Sequence, residues 1–262
     1  MNIQPHLKIK QGDIAENVLL PGDPARAELI AQRLERARLV ARNREFTTYT
    51  GKYRGVDVSV TSTGMGCPST AIAVEELARV GARVFIRVGT CGGAWRADIK
   101  PGSVVVPTAC VRDEGTTLEY VPAGFPAVAD VEIVNALAAS ARQCETPYAV
   151  GINRTHDAFY APIEAASKWG RYFLDSRFMN LYTPILSSDM ETSALFILAS
   201  LLGLRAGAVL GVNAVPEPLR VKLTGSGTET KAELSKDCTQ EVEAKAIEIA
   251  LEAILVLAQS NS

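Results

Sequence analysis

Short apolar runs alternate along this chain with segments of helical period, and that alternation limits the possible folds more than any other feature. Asn17–Leu20 reads as a strand ending at Pro21-Gly22-Asp23-Pro24, and Ala25–Leu34 as a helix. Val56–Ser62 is β-rich and ends at Gly64-Met65-Gly66. Ser69–Val80 carries Ile72, Val74 and Leu77 at helical spacing beside Glu75 and Glu76. Val84–Val88 has the composition of a fully buried strand and stops at Gly89-Thr90-Cys91-Gly92-Gly93. Ser103–Ala109, Tyr148–Asn153, Pro184–Ser187 and Ala206–Asn213 read as further strands. Val131–Gln143, Glu191–Leu202 and a long segment over Lys231–Ala258 read as helices. Apolar strands exchanged with helices predict an α/β protein whose sheet is largely parallel and covered on both faces. The only linker-like patch, Gly225-Ser226-Gly227, precedes the last helix and reads as a loop, so residues 1–262 are expected to form one domain.

Composition removes several classes of function. The 262 residues are 47% hydrophobic and 21% charged, which a disordered chain would not be. The 27 Lys and Arg against 29 Asp and Glu give a net charge of −2, which argues against nucleic-acid binding through a broad basic surface. The cysteines Cys67, Cys91, Cys110, Cys144 and Cys238 form no C-x-x-C pair, and His6 and His156 are the only histidines. No zinc pattern results, and a reducing, cytoplasmic setting is expected. The N-terminal MNIQPHLKIKQGDIAE has no apolar signal core. No apolar run approaches the ~20 residues that span a bilayer, so no membrane association is expected.

In open α/β sheets ligands bind beyond the carboxyl ends of strands, and four such ends carry unusual residues. After the first strand, Gly22 precedes a helix whose first turn contains Arg26. Backbone N–H groups and the helix dipole favour an anion there, and a cation in that turn hints that something anionic compensates it. Arg87 lies inside a buried strand, where an arginine needs a partner. Its guanidinium suits phosphate or carboxylate, and a salt bridge to Glu75 or Glu76 is the structural alternative. In Ser188-Asp189-Met190-Glu191, two acids stand where a strand hands over to a helix. They read as helix caps, or as one carboxylate facing a pocket and gripping hydroxyl groups. Phe159-Tyr160 offers a stacking platform, or else core or interface packing. Dinucleotide, P-loop, nucleophile-elbow and H-E-x-x-H motifs are all absent from the sequence.

LLPGDPARAELIA, NREFTTYTG, STGMGCPSTAIAVEELARVGARVFIRVGTCG, GFPAVAD, HDAFYA and SSDMETSALF together resemble the nucleoside phosphorylases of the uridine phosphorylase and trimeric-type purine phosphorylase group. The similarity runs from His6 to the last helix and is nearest to the uridine phosphorylases. It implies a three-layer α/β/α sandwich around a mixed, partly closed β-sheet. It also implies hexamers built from dimers, with active sites shared between subunits. The substrates would be a nucleoside and inorganic phosphate, with no metal or organic cofactor. The resemblance places phosphate on Gly22, Arg26, Arg87 and Thr90, with Arg44 reaching it from the adjacent subunit. It places ribose on Met190 and Glu191, the 5′-hydroxyl on His6 of the adjacent subunit, and the base on Phe159. Glu45, Met65 and Ser69 match positions that hold a monovalent cation at the dimer interface in some members.

The base-reading positions depart from the group. Uridine phosphorylases carry a Gln and an Arg after the aromatic pair, where this chain has Ile163 and Ala165. Purine phosphorylases place an Asp after the strand at 206–213, where this chain has Asn213 and, further on, Glu217. Asp189 also stands where Glu is common. The expected activity is that of a uridine phosphorylase, with a purine or methylthioadenosine phosphorylase as the alternative. A nucleosidase or a non-catalytic nucleoside binder would not need the three arginines.

Overall fold

The computed structural model describes residues 2–93, 98–160, 184–214 and 238–260, together with Trp169 and Tyr172. In chain order its elements are β1 (Asn17–Leu20), α1 (Pro24–Ala31), β2 (Glu35–Asn43), β3 (Phe46–Tyr53), β4 (Val56–Thr61), α2 (Cys67–Arg79), β5 (Val84–Gly92) and β6 (Val104–Asp113). There follow α3 (Thr116–Tyr120), β7 (Ala127–Val128), α4 (Val131–Gln143), β8 (Tyr148–His156), β9 (Ile185–Asp189), α5 (Thr192–Leu202), β10 (Arg205–Ala214) and α6 (Thr239–Ser260).

Five strands close on themselves. β10 pairs with both β5 and β6, β6 pairs with β8, β8 with β9, and β9 returns to β5 through Gly92 and Ser188. From β5 the sheet continues outward through β1, β4, β3 and β2. The sheet is therefore mixed, not largely parallel. β1–β4, β1–β5, β5–β10, β6–β8 and β8–β9 are parallel, while β2–β3, β3–β4, β5–β9, β6–β7 and β6–β10 are antiparallel. The reason is that an apolar run reports burial on two faces but not direction. The tight turns at Arg44-Glu45 and Arg54-Gly55 leave β2, β3 and β4 no choice but to run antiparallel.

Alternate residues on the strands feed two cores. Val18, Leu20, Phe85, Val105, Ala208 and Leu210 pack with α2 and α5, whereas Leu19, Ile86, Val88, Val104, Val106 and Val209 pack with α1, α4 and α6. This period of two, apolar on both sides, produces the α/β/α layering. Close approach of the second helix layer depends on two glycines in β10. A Cβ at Gly207 would sit 2.3 Å from Ile133 Cγ2 of α4, and one at Gly211 would sit 2.8 Å from Val242 Cγ2 of α6.

Several element ends differ from the sequence expectation. α1 stops at Ala31 because the chain turns into β2 at Glu35. β5 runs on to Gly92 and β8 to His156, carrying polar residues past the apolar runs that marked them. α6 reaches Ser260, whereas 231–237 and the Gly225-Ser226-Gly227 loop lie outside the described residues. No helix among the described residues is long and apolar enough to cross a membrane.

Candidate active site

Arg87 projects from β5 beside Leu20 of β1 and Ala208 of β10, and it is buried. Its Nε donates to Asp189 Oδ2 at 2.9 Å and its Nη2 to Glu191 Oε2 at 2.5 Å. The bridge to Glu75 or Glu76 that stood as the structural alternative is not made. Glu75 pairs with Arg79 one helical turn on, and buried Glu76 accepts from His6 and Leu7. Those two acids lie on α2, whereas Asp189 lies on β9, the ring strand that pairs with β5. Burial opposes the Arg87 charge, but Glu191 and then Asp189 outweigh it and hold its pKa above the ordinary value. Arg87 Nη1 is buried with no hydrogen-bond partner among the described residues. Room for the guanidinium comes from Gly89 on the same strand face, where a Cβ would lie 2.8 Å from Nη2.

The two acids divide the alternatives that their sequence left open. Asp189 is the helix cap. Its carboxylate accepts from Asn153 Nδ2 at 2.7 Å, Thr155 Oγ1 at 2.8 Å, Thr192 N at 3.1 Å and Thr192 Oγ1 at 2.5 Å, besides Arg87. A carboxylate offers about four lone-pair sites, so Asp189 is saturated and serves to aim Arg87. Glu191 makes no side-chain cap. Among the described residues its Oε1 accepts only from Gly66 N, at 2.7 Å, leaving acceptor capacity for a hydroxyl. Burial raises the Glu191 pKa; the Arg87 charge opposes that shift and Asp189 adds to it. Met190 gives its carbonyl to Cys67 Sγ at 3.2 Å, which ties the acidic turn to the start of α2.

Arg26 approaches from α1. Its Nη1 donates to the Val88 carbonyl at 3.3 Å, one residue beyond Arg87, and its Nη2 pairs with Glu243 of α6. Glu243 is the anionic compensation that a cation in the first turn of α1 implied. Arg26 Nε, like Arg87 Nη1, is buried without a partner among the described residues. Gly22 lies against the β4–α2 turn, with Gly64 N donating to Gly22 O at 2.9 Å, and a Cβ at Gly22 would be 3.2 Å from Gly64 O. Thr90 is half-buried near the end of β5, opposite Gly211. An unpartnered buried N–H is costly unless a ligand or water meets it. The two donors here belong to cationic side chains, one reaching the Val88 carbonyl from α1 and one rising from β5, and an oxyanion is the chemical type that would satisfy them.

Three comparisons bear on what this site serves. Residues 17–255 match the family described as the Phosphorylase superfamily. The chain belongs to that superfamily. A uridine phosphorylase from Treponema pallidum (strain Nichols) is 40% identical over 98% of this chain and 95% of its own length. A guanosine phosphorylase from Halorubrum lacusprofundi is 39% identical over 97% of this chain and 99% of its own. Among solved structures, a purine nucleoside phosphorylase from Toxoplasma gondii, in complex with immucillin-H, superposes with a TM-score of 0.83. It is 31% identical and covers 99% of this chain and 98% of its own. The mixed, partly closed sheet is thus the fold of nucleoside phosphorylases.

Not all the residues singled out by the phosphorylase resemblance meet at Arg87. His6 and Arg44 make no hydrogen bond or ion pair to that cluster among the described residues, but they share a surface. Asn43 Nδ2 donates to the His6 carbonyl at 2.7 Å, and exposed Arg44 follows in the turn. The His6 ring is fixed by Nδ1 on Glu76 Oε1 at 2.6 Å. Glu45 packs over Gly64, where a Cβ would be 2.7 Å from Glu45 Cγ, and Ser69 Oγ donates to the Met65 carbonyl at 3.3 Å. Glu45, Met65 and Ser69 therefore gather around one turn. Phe159 and Tyr160 are 70% and 93% exposed and meet edge to face at 5.0 Å, which excludes core packing within this chain. Asn213 is half-buried in β10. Ile163, Ala165, Glu217 and, apart from Trp169 and Tyr172, the stretch 168–182 lie outside the described residues.

Sequence reasoning missed Asn153, Thr155 and Glu243 as partners in the site, the space that Gly89 leaves, and the role of Glu76, which holds His6 and Leu7 instead of Arg87. Glu76 left a trace, since it occupies the buried face of α2 among Ala73, Val74 and Leu77. Asn153, Thr155 and Glu243 carried no local signal, because their roles arise from strands and helices distant in sequence, whereas Gly89 stands two residues from Arg87 on the same strand.

Proposed function

We propose that this chain is a nucleoside phosphorylase acting on uridine. It cleaves the N-glycosidic bond with inorganic phosphate to release the free base and a pentose 1-phosphate. The observation that carries the reading is the pair of buried donors, Arg26 Nε of α1 and Arg87 Nη1 of β5, that have no partner among the described residues. Phosphate sits on these two guanidiniums, on the backbone at Gly22 and on Thr90, with Arg44 of an adjacent subunit closing the site. Its oxygen attacks C1′ while the C–N bond breaks, and the electron pair of that bond leaves with the base. The transition state has oxocarbenium character, so positioning and electrostatics supply the catalysis. Glu191 accepts from the ribose hydroxyls through its open Oε1 and favours the positive charge that develops on the sugar. Met190 packs on the ribose, His6 of a neighbouring subunit meets the 5′-hydroxyl, and Phe159 stacks on the base.

The likeness to the Treponema uridine phosphorylase favours uridine. A purine reading is favoured by the nearly equal likeness to the Halorubrum guanosine phosphorylase. Hydrolysis by water would leave the two arginine donors without a purpose. Residues 1–262 act as one domain, in a cytoplasmic homohexamer built from dimers. The Glu45 carboxylate, Met65 carbonyl and Ser69 hydroxyl are oxygen donors, the type a hard cation takes, and would hold a monovalent ion at the dimer contact. The test is base release from uridine, thymidine, inosine, guanosine, adenosine and methylthioadenosine, each with and without phosphate. Phosphate-dependent uridine cleavage is expected. Selective purine cleavage would move the substrate class, and cleavage independent of phosphate would contradict the role given to the arginines.

A further inference from the structure

Two buried arginines, Arg26 and Arg87, face three carboxylates: Asp189, Glu191 and Glu243. Within the chain itself, before Arg44 of an adjacent subunit is counted, acids therefore exceed bases by one at the site proposed to receive a phosphate anion. Coulomb repulsion in a partly buried site is strong enough that this excess opposes entry. One carboxylate must be neutralised or move. Asp189 is held by Asn153, Thr155, Thr192 and Arg87, and its side chain is 1% exposed. Glu191 is held by Gly66 N and Arg87, and its side chain is 6% exposed. Glu243 differs on both counts. Its side chain is 19% exposed, and Arg26 is its single partner among the described residues. It can swing into water without stranding a buried donor other than the one phosphate takes.

We infer that Glu243 is the internal counter-ion that incoming phosphate displaces from Arg26. The inference rests on reading Arg26 as a phosphate ligand. Before phosphate arrives, Glu243 neutralises a guanidinium that would otherwise be buried with an uncompensated charge, which is costly. When phosphate arrives, its oxygens take the Nη2 donor released by Glu243 and the idle Nε. Phosphate affinity is thereby set below what the arginines alone would give, and occupancy of the site is coupled to the start of α6.

Glu243→Gln tests this, because the amide keeps the shape and removes the charge. The Michaelis constant for phosphate should fall about three- to tenfold, as expected for removing one competing charge from a partly buried pair. The constant for nucleoside should stay nearly unchanged. A phosphate constant that is unchanged or raised, in a variant whose circular dichroism matches wild type, would mean that Glu243 positions Arg26 instead of yielding it. Amide exchange of the wild-type protein gives a reading independent of any variant. Inorganic phosphate alone should speed exchange around residues 240–246, and no change there overturns the displacement. Failure of the phosphorolysis reading is recognised separately, as wild-type cleavage that ignores phosphate. In that case a thermal shift by phosphate alone, larger in Glu243→Gln than in wild type, would still support the displacement. Its absence in both would end it.

Discussion

The two ends of the proposed nucleoside site are built in opposite ways. At the phosphate and ribose end, Arg87, Asp189 and Glu191 are buried, and ring strands fix Arg87 and Asp189 while the turn into α5 carries Glu191. At the base end, Phe159 and Tyr160 project outward with most of their surface open. The first end pre-organises charge, which the reaction needs whichever base departs. The second is an edge that a neighbouring subunit or a substrate must complete. A family with this division can change its base while keeping its chemistry, which agrees with near-equal likeness to relatives named for uridine and for guanosine.

Arg87→Ala should lower kcat/KM for phosphorolysis by ~10³-fold or more, since it removes a positioned cation from the transition state. It should also destabilise the fold by about 3–5 kcal/mol, because Asp189 and Glu191 lose their buried partner. Steady-state kinetics together with a denaturant melt check both, and an unchanged rate in folded protein would remove Arg87 from the phosphate site. Gly89→Ala should come next, with a loss of about 10²-fold from a misplaced guanidinium. Its new Cβ meets Arg87 Nη2 and Leu210 Cδ2, each at 2.8 Å. Phosphate titration of that variant should show weakened binding, whereas intact binding would show that the strand relaxes around the methyl group.

Glu191→Gln sharpens the electrostatics. Burial raises the Glu191 pKa above its ordinary 4.5. The folded state therefore holds that proton more tightly than the unfolded chain does. This contribution to stability is fully present below the ordinary value and is lost as pH rises through the raised pKa. Glu191→Gln has no such loss, so its melting temperature relative to wild type should climb as pH rises above 4.5. A difference that stays flat with pH would contradict the buried anion.

At the open end the effects should be smaller and confined to nucleoside. Phe159→Ala should raise the nucleoside KM roughly tenfold through lost stacking on the base, with the phosphate KM unchanged. Equal effects on both substrates would merge the two ends. His6→Ala should raise the nucleoside KM only about three- to fivefold, the scale of one neutral hydrogen bond, and only in the oligomer. Light scattering that finds a fully active monomer would sink the shared site.

Arg87 was legible in the sequence because an arginine within a buried strand is anomalous, and the strand-end rule placed Arg26, Thr90 and Glu191 near it. Which of Asp189 and Glu191 would cap the helix was not legible, because two residues of separation permit either. Glu243 was invisible for a different reason, since it meets Arg26 across 217 residues of chain. The strands β2 and β3 escaped notice because β2 is mostly exposed and rich in charge, so apolar runs do not mark them. Strand direction was misread because burial on both faces is common to parallel sheets and to closed mixed ones.

Phosphate should bind at Arg26 Nε and Arg87 Nη1, the buried donors without a partner among the described residues. Isothermal titration of inorganic phosphate into the wild-type protein, with no nucleoside present, tests it most directly beside the same titration of Arg87→Ala. Saturable binding to wild type that is lost in the variant is expected. Equal binding by both proteins, or none by wild type, would contradict it.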